Sequence, residues 1–93
     1  MKAIWNNKVI AESDKTIVIE GNHYFPANSL KKEFFKETNT VTVCPWKGQA
    51  SYYTLQVDDK ENTDAAWYYE NPSELAKGIK NHVAFWRGVE IVE

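Results

Sequence analysis

The chain is poor in the residues that build disulfides and metal sites. Its 93 residues include one cysteine, Cys44, and two histidines, His23 and His82. A single cysteine excludes an internal disulfide and any zinc site that needs paired cysteines, and the two histidines lack the spacing of metal ligands. We therefore expect a reducing, cytoplasmic setting, with no bound metal and no cofactor.

The chain also lacks an excess of basic charge and long apolar runs. Eleven Lys and Arg against 13 Asp and Glu give a net charge of −2, which provides no electrostatic footprint for duplex nucleic acid. No apolar run reaches the roughly 18 residues of a membrane span, and the N-terminal residues do not have the apolar segment of a signal peptide. We expect neither duplex nucleic acid nor a membrane as a partner.

Aromatic side chains, in contrast, are abundant: four Trp, five Tyr and four Phe make up 14% of the residues. The length predicts a single domain over residues 1–93, with no room for a second core. Without disulfides or metal such a domain depends on burial, and each large ring buries about 150–250 Å². The rings must therefore fill most of the core or form part of a binding surface.

Short segments rich in β-branched and aromatic residues recur along the chain, separated by turn residues, which is typical of all-β proteins. We predict a mainly β fold, α+β at most, with seven or eight short strands in a compact sandwich or partly open barrel, since stacking or closure protects strand edges. Asn6-Asn7 predicts a two-residue hairpin turn. Thr40–Cys44 predicts a strand with one apolar face, and the polar segment 58–62 predicts a loop.

Two short helices are also predicted. Asn28 can cap a helix that runs through Leu30 and Phe34. Ser73 can cap a second helix, in which Leu75 and Ile79, four positions apart, share one face.

The rings fall on both faces of at least three predicted strands, because successive side chains of a strand point to opposite sides. Alternation places Tyr52 and Tyr53 on opposite faces of the sheet. It likewise places Trp67 and Tyr69 opposite Tyr68. In the last segment, Val83 and Phe85 lie opposite Trp86. One set of rings can fill the core. The other set is covered by the two helices or lines a cleft beside them, where Tyr and Trp combine an apolar body with a polar group.

Two segments combine rings with reactive groups. In the first, Cys44, Trp46, Lys47 and Tyr52 lie around a predicted turn, where an indole beside an ammonium suits a flat, anionic ligand. Cys44 is either a nucleophile activated by a nearby base or cation or a small buried hydrophobe. In the alternative to a ligand site, Trp46 and Lys47 form an exposed hairpin tip.

The second segment, residues 20–26, places Glu20, His23 and Tyr24 close together in the chain. These side chains either act as acid, base or hydrogen-bonding groups for a ligand, or satisfy backbone groups at a strand end. Asp58 and Asp59 are interpreted as solvated turn residues rather than as a metal-binding pair.

Four blocks in order give the chain a resemblance to a known family. They are Glu20–Pro26, Thr42–Gly48, Ala65–Tyr69 with Pro72, and Val83–Trp86 with Val89-Glu90. The chain resembles the family called domain of unknown function 427, small proteins widespread in bacteria. The resemblance implies a compact, mostly β domain that is β-tent-like; β-tent proteins often carry structural zinc, and the paired cysteines for it are absent here.

The resemblance also brings a nucleotidyltransferase-like label. Such a transfer usually needs carboxylates that hold magnesium, or an activated lysine beside phosphate-binding glycines. Lys47 is the lysine that this label would implicate.

These observations favour a small-molecule-binding module for a planar or anionic ligand. One wall of the site would consist of Glu20, His23 and Tyr24. The other wall would consist of Cys44, Trp46, Lys47 and Tyr52, and the floor of Trp67 and Tyr69. Two other hypotheses stay open. One is an enzyme that uses Cys44 or Lys47, with His23 as a possible partner, and the other is a homo-oligomeric interaction module in which the surplus rings form the interface.

Overall fold

The computed structural model describes residues 1–93 as nine strands and three short 3-10 turns. The strands are β1 (Lys2–Trp5), β2 (Lys8–Glu12), β3 (Ile17–Ile19), β4 (Asn22–Tyr24), β5 (Phe35–Cys44), β6 (Gly48–Val57), β7 (Lys60–Tyr68), β8 (Val83–Phe85) and β9 (Glu90–Val92). The 3-10 turns are Ala27–Ser29, Lys32–Phe34 and Glu74–Ile79. The mainly β prediction is confirmed, and no helix is long and apolar enough to cross a membrane.

The strands form three antiparallel sheets and no closed barrel. The largest has the order β5-β6-β7-β8, a second has the order β2-β1-β9, and β3 and β4 form a two-stranded ribbon. The ribbon joins the large sheet where Phe25 and Val83 exchange backbone hydrogen bonds of 2.7 and 2.8 Å. These two bonds fix the ribbon over the β8 end of the large sheet.

Two of the hairpin turns, between β1 and β2 and between β6 and β7, test predictions made from the sequence. Asn6 and Asn7 both adopt positive φ, 51° and 63°, as a two-residue turn of the favoured hairpin type requires, so that prediction is confirmed. The loop predicted over residues 58–62 is a hairpin connection between β6 and β7, but it is shorter than expected: Asp58 takes φ 55°, and β7 already begins at Lys60. Strand β4, which pairs with β3, brings the strand count to nine.

The two predicted short helices form as 3-10 turns, and the predicted caps are wrong. Asn28 lies inside the first turn rather than capping it, and Ser73 makes no side-chain capping bond. Leu75 is 84% exposed while Ile79 is fully buried, so they do not share a face. A 3-10 turn has three residues per turn, and the buried residues are accordingly Ala76 and Ile79, three positions apart.

The core consists of two clusters, one on each face of the large sheet. Tyr53, Tyr68 and Phe85 belong to the first cluster, which also holds the buried residues of β1 and β2. Tyr52, Trp67 and Tyr69 belong to the second, with the β3–β4 ribbon and the Glu74–Ile79 turn. The predicted division of rings between two faces is confirmed. The apolar side of Thr40–Cys44 is not buried: Val43 is 76% exposed on the edge strand β5.

Candidate functional site

A cavity of about 220 Å³ lies on the second face of the large sheet. Its walls come from the β3–β4 ribbon, the β5–β6 turn, strands β6 and β7, and the residue that follows β8. We call it the Lys47 cavity. Its lining residues are Glu20, Asn22, Tyr24, Lys47, Tyr52, Trp67, Tyr69 and Trp86. Lys47 is the only cation among them and Glu20 the only acid, so the lining as a whole is neutral.

Lys47 lies in the β5–β6 turn, and the segment 71–73 contacts the backbone of this turn and fixes its position. Ser73 donates its backbone N–H to the Lys47 carbonyl at 2.9 Å, and its Oγ to the Trp46 carbonyl at 2.5 Å. Gly48 follows with φ 114°, and a Cβ there would lie 3.4 Å from the Asn71 carbonyl oxygen. Glycine at position 48 thus permits both the backbone conformation and the close approach of the 71–73 segment.

The ammonium of Lys47 is enclosed by a carboxylate and two rings. Its Nζ donates a hydrogen bond to Glu20 Oε1, and lies 4.9 Å from the ring centre of Trp46 and 5.9 Å from that of Tyr69. Burial alone favours the neutral amine, but the hydrogen bond to Glu20 and further charge interactions raise the pKa of Lys47. Lys47 is therefore a fixed, charged hydrogen-bond donor.

Glu20 reaches Lys47 from the tip of the β3–β4 ribbon. Glu20 and Gly21 form the turn, with φ 55° and 79°, and the Glu20 side chain is 54% exposed whereas that of Lys47 is 6% exposed. The hydrogen bond from Lys47 lowers the pKa of the Glu20 carboxyl, and the Trp46 indole adds to the effect. A solvent-side carboxylate thus balances a buried ammonium.

The aromatic walls are held by hydrogen bonds from two indoles. Trp67 Nε1 donates to the Tyr24 hydroxyl at 3.2 Å, and Trp86 Nε1 donates to the Asp64 carbonyl at 2.6 Å. The two indoles meet edge to face, with ring centres 5.8 Å apart. Arg87 places its guanidinium 4.5 Å from the ring centre of Trp86. Burial raises the pKa of Tyr24, and raises that of Tyr69 to about 12, so both walls present neutral hydroxyls.

Cys44 does not line the cavity, but its thiol has a distinct environment. The backbone N–H groups of Trp46 and then Lys47, which favour the charged sulfur, lower the pKa of the Cys44 thiol. These donors come from the turn that directly follows Cys44, which is half-buried at the end of β5. The turn therefore favours the thiolate form.

The structure brings the two sequence segments together. Six of the nine residues that the sequence indicated line the Lys47 cavity: Glu20, Tyr24, Lys47, Tyr52, Trp67 and Tyr69. Three lie outside its lining: His23, Cys44 and Trp46. Within β4, the His23 side chain lies on the opposite side from those of its two neighbours. Its Nδ1 forms a hydrogen bond with Thr16 Oγ1 at 3.1 Å. Trp46 covers the Lys47 ammonium.

Sequence reasoning missed two lining residues, Asn22 and Trp86. Alternation along β4 places Asn22 on the same side as Tyr24, and alternation beyond β8 places Trp86 on the same side as the buried Ala84. The signal was therefore present in both cases. No group of three or more His, Cys, Asp or Glu side chains converges to hold a metal ion.

Fold and site together define a small, mainly β domain with a single buried lysine in a ring-walled cavity. The chain belongs to the family described as Domain of unknown function (DUF427), with the short name NTP_transf_9, whose model matches residues 1–93. A search among curated proteins found no significant match. The resemblance seen in the sequence is thus confirmed at the level of the family.

Proposed function

We propose that the protein binds a small planar ligand in the Lys47 cavity. The observation that carries this proposal is the Lys47 side chain, 6% exposed and charged, within a wall of aromatic rings. Lys47 is paired with Glu20, but such a pair is weak evidence for stability, because the cost of desolvating a buried charge can exceed the attraction between the two charges. A ligand-binding role explains why the charge lies there.

The size of the cavity suits a ligand of one or two rings. An apolar cavity of about 150 Å³ holds a benzene molecule, and the Lys47 cavity has about 220 Å³. Tyr52, Trp67 and Trp86 offer ring faces and edges for stacking. Lys47 and Asn22 supply the few polar contacts that fix orientation in small-molecule sites.

The experiment is a binding screen with flat probes, read by thermal shift and by quenching of tryptophan fluorescence. Benzoate, nicotinate, benzamide and nicotinamide are the first panel. Lys47→Met removes the charge from the cavity, and Lys36→Met is the matched control because Lys36 forms an exposed pair with Glu61, 2.9 Å away. For benzoate and nicotinate we expect binding to the wild type and to Lys36→Met, and a loss of at least tenfold in Lys47→Met. Equal binding of these two carboxylates by Lys47→Met, or no binding of any probe by any protein, contradicts the proposal.

A thiol enzyme is the second candidate, and the lowered pKa of Cys44 is the observation that favours it. Its test is loss of any activity found in Cys44→Ala with the fold retained. A lysine nucleophile has less support, because such a lysine needs a lowered pKa and the pKa of Lys47 is raised. For the same reason Lys47 does not fit the activated lysine that the nucleotidyltransferase label would need.

A further inference from the structure

The ion pair at the mouth of the Lys47 cavity is asymmetric. Lys47 is enclosed by Trp46 and Tyr69, and the backbone of its turn is held by Ser73. Its partner, Glu20, extends from a solvent-exposed turn at the end of a two-stranded ribbon. The Lys47 ammonium is thus the fixed member of the pair. The Glu20 carboxylate is the member that can move away into solvent.

The buried ammonium requires one anion beside it. A buried charge without a partner is costly, so whatever replaces Glu20 must also carry negative charge. A ligand carboxylate meets this requirement with the same charge and the same pair of oxygen acceptors as the Glu20 side chain. A neutral ligand leaves the pair intact and uses only the ring walls.

From this geometry we propose that Glu20 occupies the anion position of the site in the ligand-free protein, and that aromatic monocarboxylates displace it from Lys47. This inference rests on the proposed function and names its ligand class. The ligand carboxylate takes the hydrogen bond of Lys47, and its ring lies against Tyr52, Trp67 and Trp86. Glu20 turns out into water, where its charge is solvated at little cost.

The competition has a measurable consequence. Each aromatic carboxylate must break the Glu20–Lys47 pair before it binds, so its observed affinity is lower than the site allows. Glu20→Gln removes the competing charge and keeps the shape of the side chain. Because pairs with an exposed member are weak, we expect this variant to bind benzoate about three- to tenfold more tightly.

The experiment measures the dissociation constants of benzoate and benzamide by calorimetric titration of the wild type, Glu20→Gln and Glu61→Gln. Glu61→Gln is the matched control, since Glu61 belongs to the exposed pair with Lys36. Tighter benzoate binding in Glu20→Gln alone, with benzamide unaffected, supports the inference. Unchanged or weaker benzoate binding in a folded Glu20→Gln overturns it, and leaves the proposed function standing if the wild type binds either probe. Failure of both probes to bind any of the three proteins overturns the inference and the proposed function together.

A measurement on the wild type keeps the inference falsifiable if Glu20→Gln does not fold. The carboxyl carbon of Glu20 is followed by nuclear magnetic resonance during an acid titration, with and without saturating benzoate. Displacement predicts that the titration midpoint of Glu20 moves up towards the ordinary value of about 4.3 when benzoate is bound. A midpoint that stays low in the saturated protein shows that Glu20 keeps its bond to Lys47, and overturns the inference.

Discussion

Trp67 donates its indole N–H to the hydroxyl of Tyr24 at 3.2 Å, although the two residues are 43 positions apart in the chain. The bond joins the β3–β4 ribbon to strand β7, and the two rings meet edge to face at 89°. Tyr24 is 1% exposed, so its ring is packed into the sheet and its hydroxyl is held beside Trp67. The contact therefore fixes one wall of the Lys47 cavity.

Tyr24→Phe is expected to destabilise the protein by about 1–2 kcal/mol, because it leaves the partly buried Trp67 N–H without its acceptor. Chemical denaturation followed by tryptophan fluorescence measures the change. Tyr52→Phe is the control, since the Tyr52 hydroxyl bonds Thr42 Oγ1 in an exposed position at 2.9 Å, and it should cost less than about 0.5 kcal/mol. Equal effects of the two substitutions would contradict the structural role given to Tyr24.

The Glu20–Lys47 pair predicts an unequal response to removal of either partner. Glu20→Gln leaves a buried ammonium without a counter-charge, whereas Lys47→Met leaves a carboxylate that water can solvate and places an apolar side chain among rings. We expect Glu20→Gln to lower the melting temperature more than Lys47→Met does, although Glu20 is the more exposed residue. Thermal unfolding followed by near-ultraviolet circular dichroism decides this, and the reverse order contradicts the assignment of Lys47 as the fixed charge.

Cys44 is expected to react as a thiolate at lower pH than an ordinary thiol, whose pKa is about 8.5. The rate of alkylation by iodoacetamide is measured against pH for the folded protein and for the urea-unfolded chain. Backbone N–H groups are the main cause of the lowered pKa, so Lys47→Met should move the midpoint only slightly. A folded midpoint at or above that of the unfolded chain removes the case for Cys44 as a nucleophile.

Alkaline pH is expected to weaken the fold through two tyrosines, the buried Tyr69 and the half-buried Tyr53. Burial raises the pKa of Tyr53 and of Tyr69 to about 12, against about 10 in the unfolded chain. The folded state holds these protons more tightly, so their stabilisation is fully present below pH 10 and is lost as the pH rises from 10 to 12. The loss is at most about 2–3 kcal/mol for each tyrosine.

Denaturation midpoints at pH 9, 10, 11 and 12 test this expectation. Tyr69→Phe is informative because it removes one of the two groups, and its stability should fall less steeply over the same range. A wild-type stability that stays flat to pH 12 would falsify the burial of these two hydroxyls.

The sequence predicted the elements governed by local chemistry. Alternation placed Tyr52, Trp67 and Tyr69 on one face because strand geometry has a period of two wherever a strand forms. The Asn6-Asn7 turn was equally local. The prediction that Leu75 and Ile79 share a face was wrong, because their spacing assumed 3.6 residues per turn. The six-residue segment Glu74–Ile79 has three residues per turn instead.

The Glu20–Lys47 pair could not be predicted from sequence patterns. Lys47 follows a proline and a tryptophan in a hairpin turn, where lysine is usually solvated. Its burial depends on Ser73, which is 26 positions further along the chain, and its partner Glu20 depends on the docking of Phe25 against Val83. Neither contact leaves a periodic trace in the sequence.

The most direct test of the binding role is a titration of isotope-labelled wild type and Lys47→Met with benzoate, followed by two-dimensional amide and indole nuclear magnetic resonance. Binding in the Lys47 cavity predicts saturable shifts at Asn22, Tyr24, Tyr52 and the indoles of Trp67 and Trp86 in the wild type, with Lys47→Met unresponsive. Shifts confined to residues outside the cavity lining, or an identical response in the two proteins, would contradict it.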